Sequence, residues 1–173
     1  MSREKTAITV VFLILTAACS SSATGIATPV LADEAWKAVE NYEYAYDTRD
    51  LSLLCETLDP EFLHHLLEED WDDYNGDGTI DSNWDYDLEI SLAQSLFSTC
   101  DSIDLTLTGL WYYPWPSDPS GESIAYPRHY TMELQINPDS IITETGQYTI
   151  VCRPDSTDDW RITHLIDSGI SWI

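Results

Sequence analysis

Apolar residues recur every three or four positions up to Cys100 and every second position after it. That change of period splits one chain into a helical half and a stranded half. Leu31, Ala32, Trp36, Val39, Tyr42 and Tyr46 share one helical face. Thr28-Pro29 supplies a start signal, with Thr as N-cap and Pro at the first helical position. Asp47-Thr48-Arg49-Asp50 breaks this helix, and Leu51, Leu54, Cys55 and Leu58 define a second, shorter one. Pro60-Glu61 is expected to open another turn or two through Leu67, and a further helix is expected from about Asp87 to Ser98.

Beyond Cys100, Ile103, Leu105 and Leu107 alternate with Asp104, Thr106 and Thr108, the pattern of a half-buried strand. Further strands are expected near residues 126–136, 142–152 and 160–166. Asn137-Pro138-Asp139 and Arg153-Pro154-Asp155-Ser156 provide the turns between them. Helices first and antiparallel strands afterwards indicate an α+β domain in which one curved sheet wraps the N-terminal helix.

Two segments carry a family resemblance. Tyr46-Asp47-Thr48-Arg49-Asp50 precedes a short helix and then Leu58-Asp59-Pro60-Glu61-Phe62, while Gly146 through Val151 leads to Trp160-Arg161-Ile162-Thr163 and Asp167. Together they resemble the opening and closing of NTF2-like (SnoaL-like) domains. The resemblance implies a cone-shaped, curved antiparallel sheet packed on N-terminal helices. It spans most of residues 29–168, and residues 64–86 look like an insertion. Enzymes of that family place an acid/base Asp, Tyr or His inside the cone. Their motif does not map residue by residue onto this chain, so no catalytic residue is carried over.

The first nineteen residues address location. Arg3 and Lys5 precede an apolar run from Ala7 to Ala18, which is too short to span a bilayer. Leu15-Thr16-Ala17-Ala18-Cys19 resembles the lipobox of bacterial lipoproteins, which implies cleavage before Cys19 and lipidation there. The expected organisation is a signal peptide over 1–18, a flexible tether over 19–27 and a domain over 28–173. Ser20 after the lipidated cysteine points to the outer membrane.

The chain holds 31 acidic and 7 basic residues, a formal net charge of −24. That balance argues against nucleic acid, since little here could neutralise phosphates. It also leaves membrane attachment to acyl chains rather than to basic patches. Ten carboxylates crowd residues 68–89. Within them, Asp73-Tyr74-Asn75-Gly76-Asp77-Gly78-Thr79-Ile80-Asp81 follows an EF-hand-type calcium loop through its ninth position. Asp73, Asn75, Asp77, Thr79 and Asp81 are the expected ligands, and Gly78 makes the sharp turn. Trp84 stands at position twelve, where a bidentate acid is normal, so Asp85 or Asp87 would have to reach in to complete the shell, with Glu89 a remoter candidate. The calcium would be structural.

His64 and His65 are expected as a helix-surface pair about 100° apart, and His164 with Asp167 as a structural hydrogen-bonded couple near the last strand's end. Adding His129 or His164 to the first pair could build a zinc site, though no ligand spacing supports one. Trp111, Tyr112, Tyr113 and Trp115 could line a ligand mouth or cap the open end of the core. Of the remaining cysteines, Cys55, Cys100 and Cys152, the first two are the preferred disulfide pair, with three reduced buried thiols as the alternative.

These features describe a membrane-anchored envelope lipoprotein whose domain binds a small apolar ligand or an envelope partner without catalysis. An isomerase- or cyclase-like enzyme with an acid/base residue in the cone is the alternative, and a purely structural lipoprotein is the third.

Overall fold

The computed structural model describes residues 29–74, 76–109 and 111–168. The signal peptide, Cys19, the tether and Asn75 therefore lie outside the described residues.

Helix α1 (Ala35–Thr48) buries Ala35, Ala38, Val39, Tyr42, Ala45 and Tyr46 along one stripe. Ala38 and Ala45 are fully buried, and their small side chains bring the helix close to the sheet. The helix begins after Glu34, not at the Thr28-Pro29 signal. It stops at Arg49, whose left-handed backbone (φ 56°) lets its N–H and that of Asp50 close onto the last-turn carbonyls. Asp50 then caps helix α2 (Leu51–Thr57) by accepting from the Leu53 N–H at 3.0 Å.

Strand β1 (Leu58–His65) replaces the helical turn expected after Pro60. Phe62 and His64 point into the core, and β1 pairs in parallel with β7 (Trp160–Asp167). That partner lies far along the chain, so local periodicity could not reveal it. The chain then leaves the sheet over residues 66–82. Leu66 N–H donates to Ser82 O, and an Asp72–Asp81 bridge ties its neck. It returns through β2 (Asn83–Asp85) into α3 (Tyr86–Thr99).

The stranded half follows the alternation closely, with β3 (Ser102–Thr108), a short β4 (Tyr113–Pro114), β5 (Ile124–Asn137) and β6 (Ser140–Pro154) before β7. Sheet order is β2-β1-β7-β6-β5-β3, with β4 on β5. The sheet is mixed rather than wholly antiparallel, because β1 and β7 run the same way. Helix α1 lies against β3, β6 and β7, and the core between them is sealed by Phe62, Leu54, Leu58, Ile150, Ile162 and Leu165.

Cys55, Cys100 and Cys152 are all free thiols, which overturns the preferred Cys55–Cys100 disulfide. Cys55 sits in α2, whereas the Cys100 backbone terminates α3 and its carbonyl takes a 2.7 Å hydrogen bond from Arg49 Nη1.

Candidate functional site

Five elements converge on His64. Its Nδ1 lies 3.5 Å from Glu89 Oε2 on α3, and its Nε2 lies 3.5 Å from Asp167 Oδ1 on β7. Trp84 of β2 and Tyr148 of β6 present ring edges to the imidazole, with centroids 4.5 and 5.8 Å away. Tyr46 of α1 donates its hydroxyl to Glu89 Oε1 at 2.9 Å, and Trp84 Nε1 donates to Glu89 Oε2 at 2.6 Å. Side-chain exposure rises outward, from 5% at Glu89 through 8% at His64 to 18% at Asp167. The centre therefore faces solvent through Asp167.

Electrostatics fix its charge state. Burial pushes the imidazole towards neutrality, but the Asp167 and Glu89 carboxylates outweigh this and raise its pKa to about 9. Burial also resists ionisation of Glu89, yet His64, Trp84 and Tyr46 hold its carboxyl below the usual range. At neutral pH the centre is an imidazolium between two acids. Its Nε2–H, although near Asp167, has no aligned hydrogen-bond partner among the described residues. Asp167 thus compensates the charge without forming a well-aligned hydrogen bond, and a better-placed acceptor would gain that bond.

His65 points the opposite way, because neighbouring strand residues alternate faces. Its Nε2 lies 3.2 Å from His164 Nδ1, and burial holds both rings below the usual histidine range. Two expectations are corrected here. His64 and His65 are not on a helix, and His164 partners His65 while Asp167 faces His64. A strand puts residues 164 and 167 on opposite faces, which defeats a couple at that spacing. His129 is exposed on β5.

The acidic loop keeps its carboxylates curled onto its own backbone. Asp73 accepts from the Asp77 and Gly78 N–H groups at 3.0 and 2.9 Å, Asp77 accepts from Thr79, and Asp81 accepts from Tyr74. Gly76 and Gly78 take positive φ at the turns. Asp85 caps α3 by accepting from the Leu88 N–H. Among the described residues, no three His, Cys, Asp or Glu groups gather as a metal shell.

A separate groove of about 380 Å³ runs between α1 and the β3–β5 edge, on a different face of α1 from Tyr42 and Tyr46. Of the aromatic run singled out in the sequence, Tyr112 lines this groove. Trp111 stacks on Tyr113 at 5.5 Å, and the Trp115 N–H bonds Ser123 O.

Sequence reasoning missed Glu89 and Trp84 as partners of His64. In the sequence Glu89 is only a remote candidate for the calcium shell, whereas the structure turns it onto His64.

No family model matches the chain, and no curated protein matches it. Solved structures do. An NTF2-like superfamily protein from Salmonella enterica aligns with a TM-score of 0.56 at 13% identity, over 78% of this chain and 87% of that one. A proposed dehydratase of the NTF2-like family from Streptomyces avermitilis gives 0.58 at 11%, over 81% and 96%. A proposed scytalone dehydratase from Novosphingobium aromaticivorans gives 0.57 at 8%, over 79% and 86%. The chain has the NTF2-like α+β cone fold, with His64 on the face of the sheet that α3 covers.

Proposed function

We propose that this chain is a lipid-anchored envelope protein whose cone binds a small, largely apolar ligand without turning it over. The supporting observation is the buried Nε2–H of His64. It is a charged donor lacking an aligned acceptor, set among aromatic side chains, so a ligand with one acceptor atom would satisfy it. Native mass spectrometry of protein purified under non-denaturing conditions should show a non-covalent adduct that His64→Phe loses. The reading fails if wild-type protein carries no adduct, or if the variant keeps it.

A second reading, an acid–base enzyme, draws on the same proton. His64 enters neutral pH protonated, which suits a general acid, and Asp167 is the nearby carboxylate on the exposed side. In an elimination, Asp167 would take a proton from carbon while His64 protonates the departing hydroxyl, releasing water. The proposed dehydratases among the structural neighbours are compatible with this. Turnover of a β-hydroxy ketone that His64→Gln abolishes would favour the enzyme over the binding module.

The acidic loop is the candidate seat of a structural calcium ion. Asp73, Asn75, Asp77, the Thr79 carbonyl and Asp81 hold the loop positions by sequence, and an ion would have to draw the carboxylates away from the backbone N–H groups they now accept from. Calcium at millimolar concentration should raise the melting temperature relative to chelator, and Asp73→Asn should abolish the increment. An unchanged melting temperature at 10⁻² M calcium, far above the roughly 10⁻⁴–10⁻³ M range of extracellular sites, would count against the ion. Anchoring at Cys19, and with it an outer-membrane location, is tested by intact-mass analysis of protein from its host. A bare thiol with the leader retained would refute it.

A further inference from the structure

The groove beside α1 contains a feature the cone centre does not explain. Lys37 contacts Asp33 and Glu34, Arg153 contacts Asp59 and Glu61, and Arg161 contacts Asp155. Arg49 instead donates to the Cys100 carbonyl that ends α3. Arg128 lines the groove, is half-buried, and has no carboxylate within 4.0 Å among the described residues. Its Nη1 donates to Pro127 O at 2.9 Å and Trp111 O at 3.3 Å, and the guanidinium carbon sits 5.0 Å from the Tyr126 ring centroid. The side chain is thus fixed in place with no carboxylate in direct contact, although the charge of Glu43 reaches it across the groove, and burial of the guanidinium costs solvation.

The backbone is shaped around it. Gly109 has φ +143°, and a Cβ there would stand 2.7 Å from Pro127 O and 3.2 Å from Arg128 Nη1. Only glycine lets the chain pass this close. On the α1 wall, Glu43 is half-buried and accepts from the Leu107 N–H at 3.4 Å. Burial raises its pKa, and it lines the same groove as the cation without touching it. Trp36 and Tyr112 add flat, partly exposed aromatic surface. The volume of about 380 Å³ lies within the range of small-molecule sites.

We propose that this groove is a second binding site, for a planar aromatic carboxylate carrying a hydrogen-bond donor at its far end. The carboxylate meets the Arg128 fork, the ring lies against Tyr112 and Trp36, and the donor faces Glu43. Bidentate guanidinium–carboxylate geometry gives orientation as well as attraction. Nothing in this assignment depends on the His64 centre.

Three probes separate its parts in an amide NMR titration of the folded domain. 4-Aminobenzoate should shift the Leu107, Gly109 and Tyr112 amides. 4-Aminobenzamide, which keeps the ring and amine but lacks the charge, should bind at least 10-fold more weakly, and benzoate, which lacks the donor, should bind several-fold more weakly. Arg128→Gln should remove the advantage of 4-aminobenzoate over 4-aminobenzamide, and Glu43→Gln should remove its advantage over benzoate. Equal binding of the amide and the acid to wild-type protein overturns the anion receptor, whether or not the variants fold. Shifts confined to residues around His64, or none at millimolar 4-aminobenzoate, overturn the groove as the site.

Discussion

The Trp84 indole nitrogen donates to Glu89 Oε2 at 2.6 Å. Trp84 occupies the twelfth place counted from Asp73, where a calcium loop normally carries an acid, and its ring joins the exit of the acidic loop to the buried centre. Tyr74 of the loop packs on the same indole, centroids 5.4 Å apart. Trp84→Phe keeps the ring and deletes the donor, and should cost about 1–3 kcal/mol. Glu89→Gln leaves His64 with a single carboxylate and should cost about 3–5 kcal/mol. Because the residues touch, the double variant should cost less than the two losses added, as read from urea unfolding curves.

His64 makes stability depend on alkaline pH. Its folded pKa of about 9 lies above the ordinary 6.5, so its contribution is fully present below pH 6.5 and is lost as pH rises through 9. The shift corresponds to roughly 3 kcal/mol. Glu89 works in the other sense. Its folded value lies below the ordinary 4.5, so its contribution is present above 4.5 and lost as pH falls through that lowered value. Unfolding free energy should therefore peak between about pH 5 and 6.5 and fall towards pH 9. An imidazole titrating near 6.5 by NMR would contradict the charged triad.

Gly146 lies opposite Tyr130 across β5 and β6, and a Cβ at Gly146 would come within 2.5 Å of the Tyr130 ring. The ring uses that space to stack on Tyr148, centroids 4.2 Å apart and 10° from parallel. Gly146→Ala should push Tyr130 off Tyr148 and cost about 1–3 kcal/mol. Adding Tyr130→Ala should abolish the clash, so that Gly146→Ala costs little in that background. Thermal or urea unfolding reads both.

The three domain thiols should all be titratable once the protein is unfolded, and reductant should leave the melting temperature unchanged. In the folded state Cys55, which is half-buried, should react first with a thiol reagent. Cys152 is fully buried, and burial pushes its thiol far above the usual range, so it should react only on unfolding. A reductant-sensitive melting curve would reveal a disulfide.

Much of the fold is written locally. The stripe Val39, Tyr42 and Tyr46 identifies α1 and the place it ends, though not its start, and the alternation from Ile103 onward identifies β3, β5, β6 and β7 to within a few residues, because each buries one face against one layer. The N-cap role of Asp50 is also a local matter. The segment 58–65 is different. Its hydrogen-bonding partner β7 arrives about a hundred residues later, and Pro60-Glu61 imitates a helix start. Reading it as a helix also misplaced both histidines.

What the sequence determined by itself was the three helices α1, α2 and α3, the strands β3, β5, β6 and β7 and the glycine turns of the acidic loop, since these depend on near neighbours and backbone preference. Tertiary structure decided the chemistry. His64 became a held proton only when α3 brought Glu89 and β7 brought Asp167 to opposite sides of one imidazole. Arg128 likewise meets Glu43 in one groove only because α1 crosses the sheet there. Charge state and burial are set by groups that meet across the fold, and spacing along the chain does not encode those meetings.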